Sequence, residues 1–281
     1  MNKICGLVVV YNPDDNVYSN ISSYKNLVEK LYVLDNSDEK KMDFILRLKK
    51  EKNIQYIDLK YNQGIAKAQK IGLTLAIEEG FDYCLTMDQD SIFPEDKFSI
   101  ILTYLDDKTS SDYGIIGLNY DKRNKFKGIK AVHDIISSGN FINITNYKMI
   151  DGFKEELFID WVDFDICEQF YKINKKIGMI GDIFIEHKIG NPIKFTFFGK
   201  TYFSMNHSPI RYFYRYRNAL YLYKKNKKFY KKYYYKSLFF DIPKMIFFEE
   251  KKVIKLKMIL KGRKFGKKGI LGKYVENQKD I

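Results

Sequence analysis

At 281 residues, with 45% hydrophobic, 16% aromatic and 30% charged side chains, the chain can bury a full core, which excludes wholesale disorder and suits one sizeable α/β domain with an appendage. Its net charge of +14 is uneven: from Arg211 onward 22 Lys and Arg face 5 Asp and Glu, whereas the preceding residues carry 27 basic and 30 acidic side chains. No run of about 18 uncharged apolar residues occurs, which excludes a spanning helix, and three scattered cysteines, Cys5, Cys84 and Cys167, read as buried thiols of a reducing compartment rather than a disulfide framework.

In chain order, residues 4–10 are a β-branched run ended by Tyr11-Asn12-Pro13-Asp14-Asp15, the pattern of a buried strand leading into a loop. No leader is expected, because the chain passes almost directly from Met1 into that strand. A helix over 17–29, a strand over 30–34, a helix over 42–52, a strand over 54–59, a helix over 65–78 and a strand over 83–87 follow. Such alternation predicts an α/β fold with a mostly parallel central sheet flanked by helices. The second half is less regular, with strands at 114–117, 142–144 and 177–184 and a helix over 163–173. Beyond Arg211 the pattern becomes long aromatic and basic helices, with Gly262, Gly266, Gly269 and Gly272 read as breaks. The expected division is an α/β domain over 1–210 and a basic, aromatic helical segment over 211–281.

In sheets of this kind ligands gather beyond the carboxyl ends of the strands. Three polar groups directly follow apolar strands: Tyr11-Asn12, Asp35-Asn36-Ser37 and Asp88-Gln89-Asp90. Carboxylates two residues apart at a strand end either hold a hard divalent cation that bridges a diphosphate or cap their own loop. Asn62-Gln63-Gly64 opens a helix, and its backbone amides suit phosphate or ribose as well as they suit a cap. Ser137-Ser138-Gly139-Asn140 precedes a strand, where small residues allow close approach of a substrate or form a plain turn.

A second acidic cluster, Asp160-Trp161-Val162-Asp163-Phe164-Asp165, enters a helix near Asp163. The helix dipole accounts for Asp165, whereas Asp163 suits a general base that takes a proton from an attacking hydroxyl. His187 follows another apolar strand and is either an ordinary half-buried histidine or a ligand for an ion such as manganese.

Taken in order, Val10-Tyr11-Asn12-Pro13, Asp35-Asn36-Ser37, Asn62-Gln63-Gly64, Asp88-Gln89-Asp90, Ser138-Gly139, Asp160-Trp161-Val162-Asp163, His187-Lys188 and Arg211 through Arg217-Asn218 resemble the inverting glycosyltransferases of family 2, which have a Rossmann-like GT-A fold, and are most similar to its bacterial rhamnosyltransferase branch. The resemblance covers roughly residues 3–220 and departs from the family's pattern at Asp165 and near Gln169 or Phe170. It implies transfer of a sugar, L-rhamnose from dTDP-rhamnose first among the candidates and a UDP-hexose as the alternative, to a saccharide or polyprenyl-linked acceptor in cell-surface polysaccharide synthesis. By the same likeness Tyr11, Asn12, Asp35, Asn62, Gly64, Asp88 and Arg217 would hold the donor, Asp90 and His187 a divalent cation (Mg2+ or Mn2+), and Asp160, Trp161 and Gly139 the acceptor. Asp163 would be the base, with Asp160 as its rival.

The cations and aromatics past Arg211 suit an anionic membrane surface on the cytoplasmic side, in preference to single-stranded nucleic acid. Two other classes compete. A nucleotidyltransferase would need a Gly-rich first loop where Tyr11-Asn12-Pro13 stands, and in a non-catalytic basic binding protein the carboxylates would cap loops only.

Overall fold

The computed structural model describes residues 2–187, 193–197, 200–204 and 206–276. The side chains of His187, Phe197, Lys200, Thr201 and Tyr202 lie outside the description. The chain divides into two units, Met1–Glu155 with Asp163–Lys188, and Glu156–Val162 with Ile189–Ile281. This differs from a single cut at 210. Residues 156–162 belong to the helical unit because their carbonyls and the Asp160 carboxylate are held by side chains of its first helix.

In the first unit the order is β1 (Ile4–Val10), α1 (Asp15–Ser22), β2 (Lys30–Asp35), α2 (Met42–Leu48), β3 (Ile54–Asp58), α3 (Ile65–Glu78), β4 (Tyr83–Asp88), β5 (Ser91–Ile92), α4 (Phe98–Leu105), β6 (Tyr113–Asn119), β7 (Ile129–Val132), β8 (Asn140–Asn143), α5 (Ile144–Tyr147), α6 (Val162–Lys172), β9 (Lys176–Phe184) and β10 (Glu186–His187). Eight strands form one sheet in the order β3-β2-β1-β4-β8-β6-β9-β7. β1 to β4 are parallel, β6 and β9 are parallel, and β8 and β7 run against their neighbours. β1, β2 and β4 are buried nearly end to end, as strands covered on both faces must be, and Val8, Val10, Leu31, Val33, Leu85 and Met87 join the main core.

α1 ends seven residues before the sequence pattern suggests. Ser22 and Ser23 turn their hydroxyls back onto the carbonyls of Tyr18 and Asn20, at 2.9 and 2.6 Å, competing with continued helix.

The second unit holds the hairpin β11 (Ile193–Phe197) with β12 (Lys200–Ser204), then α7 (Pro209–Lys225), α8 (Lys227–Lys236), a π-helical turn over Ser237–Asp241, α9 (Ile242–Phe248) and α10 (Lys252–Lys268). Gly262 and Gly266 do not break α10, contrary to the sequence expectation. They lie against the backbone carbonyls of Phe213 and Arg217 on α7, where a side chain would collide, so they allow close helix packing. Gly269, in the left-handed conformation, is the residue that ends the helix.

Candidate active site

The chain passes from β1 through β2 to β3 in one direction and then sets β4 on the other side of β1, so the switch point lies between β1 and β4. The loops leaving these strands are tied together. Gln89 accepts from Tyr11 N at 2.8 Å and donates to Tyr11 O at 3.2 Å, which leaves the Tyr11 ring exposed at the rim. Asn12, left-handed at φ 47°, donates its N–H to Ser37 Oγ at 2.7 Å.

Behind them Asp35 is 1% exposed and accepts from Ser37 N at 2.9 Å and from Tyr56 Oη at 2.8 Å, with Lys40 Nζ at 3.4 Å. Asn36 and Asn62 bond to each other at 3.1 Å and accept the N–H groups of Gln63 at 2.7 Å and Gly64 at 3.0 Å. Gly64, at φ 87°, adopts a conformation that favours glycine and leads directly into α3. A cavity of about 330 Å³, lined among others by Asp14, Tyr18, Lys41 and Arg47, opens beside the starts of α1 and α2. It includes none of the acids at the end of β4 or the start of α6.

Asp88 closes β4, and its N–H donates to Ser138 Oγ at 3.0 Å. That hydroxyl donates in turn to Ser91 Oγ at 2.8 Å, so the buried Ser138 props both ends of the acidic loop. Gly139, at φ 75°, donates to Thr86 O at 2.9 Å, and a side chain there would meet Ile185. β5 pairs with β10 and sets His187 opposite Ser91, one residue from Asp90. Among the described residues no three His, Cys, Asp or Glu side chains cluster as a ready-made metal cage.

Asp163 stands in the first turn of α6, where the helix dipole favours a carboxylate. Ser137 Oγ donates to its Oδ1, and Thr86 Oγ1 holds the Ser137 carbonyl at 2.8 Å. With Gln69, Thr86, Ser137 and Asn140 it lines a small cavity of about 10 Å³, so polar groups from α3, β4, the 137–140 turn and α6 converge there. Asp165 points elsewhere, to Lys154 Nζ at 2.5 Å and Gln169 Nε2 at 2.6 Å, and burial pushes its carboxyl up despite the lysine.

In the helical unit Phe158, Asp160 and Trp161 are all left-handed, at φ 65°, 64° and 67°. For such residues this conformation persists only where the surroundings over-determine it. Asn218 Nδ2 donates to the carbonyls of Leu157, Ile159 and Asp160, each at 2.9 Å, and Arg217 donates to those of Glu156, Leu157 and Gly272. Arg211 grips the Asp160 carboxylate with two bonds of 2.8 and 2.7 Å. Burial pushes the Asp160 carboxyl up, but Arg211, with Arg215 and His207, outweighs it and holds the group below its ordinary range. Trp161 meets the rings of Tyr230 and Tyr233 edge-on.

Residues 7–171 match the family described as glycosyl transferase family 2. The chain belongs to that family. This glycosyltransferase is 28% identical over 251 residues to a Shigella flexneri protein named dTDP-rhamnosyl transferase RfbF, covering 80% of this chain and 81% of that one. Its fold is similar to that of S. aureus TarS 1–349, with a TM-score of 0.61 at 13% identity over 94% of this chain and 80% of that one. It is also similar to GalNAc-T7, whose structure holds UDP, GalNAc and Mn2+, with a TM-score of 0.62 at 11% identity over 96% of this chain and 56% of that one. A GT-A-like sheet with a basic helical C-terminal region is thus established for the transferase.

Within the glycosyltransferase the structure brings Tyr11, Asn12, Asp88, Asp90, Gly139 and Asp163 to the carboxyl side of one sheet, with the backbone of His187 beside Asp90. Three of the expected site residues are held by partners within the protein. Asp35 is enclosed and engaged by Ser37, Tyr56 and Lys40 at the start of the β2 loop. Arg217, expected near the leaving diphosphate, is 1% exposed, and its guanidinium bonds Asn218 and three backbone carbonyls. Asp160, expected on the acceptor side, is taken up by Arg211. Sequence reasoning missed the hydroxyls of Ser137 and Ser138 and the bridging amide of Gln89. The only signal for them was a run of small polar residues and a spacer between two acids.

Proposed function

We propose that this family 2 glycosyltransferase moves a hexose from a pyrimidine nucleoside diphosphate donor to a saccharide hydroxyl, with Asp163 as the base. The observation that carries the reading is the Ser137-Ser138 step, which bonds Asp163 on one side and Asp88 N and Ser91 on the other. Asp163 and the acidic loop after β4 are therefore tied to one piece of backbone, which supports a base beside a donor loop. The chemistry is a single displacement with inversion. Asp163 takes the proton of the acceptor hydroxyl, the acceptor oxygen bonds to the anomeric carbon, and the bond from that carbon to the phosphate oxygen breaks, its electron pair leaving with the nucleoside diphosphate. Asp160 is the weaker candidate, because a carboxylate paired with Arg211 and held below its usual range gains little by taking a proton.

Tyr11 and Asn12 would meet the nucleoside, and the amides that open α3 after Asn62 and Gly64 would face the ribose or phosphate. A divalent cation fits the acidic loop: magnesium is commonly held by one or two carboxylates plus substrate phosphates, and Asp88 and Asp90 stand there with His187 on the facing strand. When bound, such an ion supplies positive charge for the leaving diphosphate.

A UDP-hexose draws support from the UDP-bound GalNAc-T7 structure, and dTDP-L-rhamnose from the name of the S. flexneri relative. The acceptor is a saccharide, free or polyprenyl-linked, of a bacterial surface polysaccharide, and the work is done at the inner face of the cell membrane. Among the described residues no helix is long and apolar enough to cross a membrane. Calorimetric titration with UDP, dTDP and GDP, each with Mg2+ or Mn2+ and with chelator, tests the reading. Metal-dependent binding of UDP or dTDP that weakens in Asp90→Asn is expected. Failure of all three to bind overturns the donor site, and binding of GDP alone overturns the pyrimidine assignment.

A further inference from the structure

α10 has two opposed faces. Ile259, Gly262, Phe265 and Gly266 are buried, the two glycines directly against α7. On the other side Val253, Leu256 and Leu260 recur at steps of three and four residues and are 67%, 38% and 61% exposed. Lys257 and Lys264 lie on that same outward side by the same periodicity. The 17 residues of the helix contain 8 Lys and Arg and no acid. In the same unit Phe239, Phe240 and Phe247 are 67%, 62% and 71% exposed, on the π-helical turn and α9.

We propose that this outward face of α10 docks on an anionic lipid bilayer, with Val253, Leu256 and Leu260 entering the acyl boundary and Lys257 and Lys264 reaching the headgroups. Phe239, Phe240 and Phe247 add a second apolar contact. This gives residues to the membrane contact stated under Proposed function and rests on that part of it. Aliphatic side chains gain nothing from phosphate or base edges, so a nucleic acid would leave Val253, Leu256 and Leu260 without a reason to be exposed together. A lysine-rich helix with an aliphatic stripe and no acid matches both components of an anionic interface, since the long lysine stems lie along apolar surface while their ammonium groups meet the headgroups.

The test is sedimentation of the full chain with vesicles of phosphatidylcholine alone and of phosphatidylcholine mixed equally with phosphatidylglycerol, at low and high salt. Binding to the mixed vesicles that weakens with salt is expected. Lys257→Gln and Lys264→Gln should each lower partition about fivefold. The triple variant Val253→Ser, Leu256→Ser and Leu260→Ser should lower it at least about tenfold, even at low salt. Nucleotide binding, measured in parallel, should stay at the wild-type level in these variants, which checks their folding. Absence of sedimentation with either vesicle overturns the proposal, as does binding that the apolar triple leaves unchanged. Tight binding to single-stranded poly(dT) that depends on the lysines, with no vesicle binding, overturns it in favour of nucleic acid. Vesicle binding without nucleotide binding would instead count against the transferase reading alone.

Discussion

In the α/β unit the acids of interest, Asp88, Asp90 and Asp163, stand half-buried at a strand end or a helix start, whereas the helical unit carries Arg217, Glu249 and Lys255 almost wholly inside. Glu249 accepts from Ser204, Asn206 N, Tyr212 and Lys255, the last at 2.6 Å. Burial pulls Arg217 down to about 10, still charged at neutral pH, and its guanidinium lies over the Tyr214 ring at 4.9 Å. The basic excess beyond residue 211 therefore has two parts: a few cations that hold the unit together from within, and the many lysines left on its surface. On the proposed function the acids of the first unit serve a ligand and the buried charges of the second serve the scaffold, so removal should be felt in turnover in the first case and in stability in the second.

The largest effect on stability should come from Lys255→Met, which leaves Glu249 buried and uncompensated; a loss of about 3–5 kcal/mol is expected in urea unfolding. Asn218→Ala comes next, since it strips a donor from three carbonyls of a left-handed loop. About 1–3 kcal/mol should go, and turnover should fall with it because that loop leads directly into the helix of Asp163.

His207 is smaller again. Burial, with help from Arg211 and against Asp160, lowers it from an ordinary 6.5 to about 4. The unfolded chain thus binds a proton between those values that the folded chain refuses. Stability from this source is complete above pH 6.5, declines as pH falls toward 4, and amounts to about 2 kcal/mol after allowance for partial exposure. In His207→Gln that slope should flatten between pH 6.5 and 4. Smallest is the surface pair of the α/β unit, Lys30 with Glu79 at 2.6 Å, where Glu79→Gln should change stability by about 0–1 kcal/mol. A large loss there, or none at Lys255, would erase the contrast between the two units.

Much of the α/β unit was legible in the sequence because parallel strands leave continuous apolar runs, and the polar residue after each run falls at the sheet's ligand-binding edge. Tyr11 and Asp88 could be singled out on that basis, and Asp163 from its place in an acidic cluster that enters a helix. The enclosure of Asp35 and Arg217 has no sequence signal, because a polar residue in a motif reads the same whether it is open or packed against protein partners. Gly262 and Gly266 were read as helix breaks because close approach of α7 is a tertiary fact with no local signature. The Ser137 hydroxyl on Asp163 was equally hidden, since its partner lies 26 residues further along the chain.

Turnover and nucleotide affinity measured together in Asp163→Asn test the central claim most directly. The account predicts that donor turnover falls about 10²–10⁴-fold while the Kd for the donor nucleotide stays at the wild-type value. Turnover close to wild type, or affinity that falls in step with turnover, would contradict Asp163 as the base.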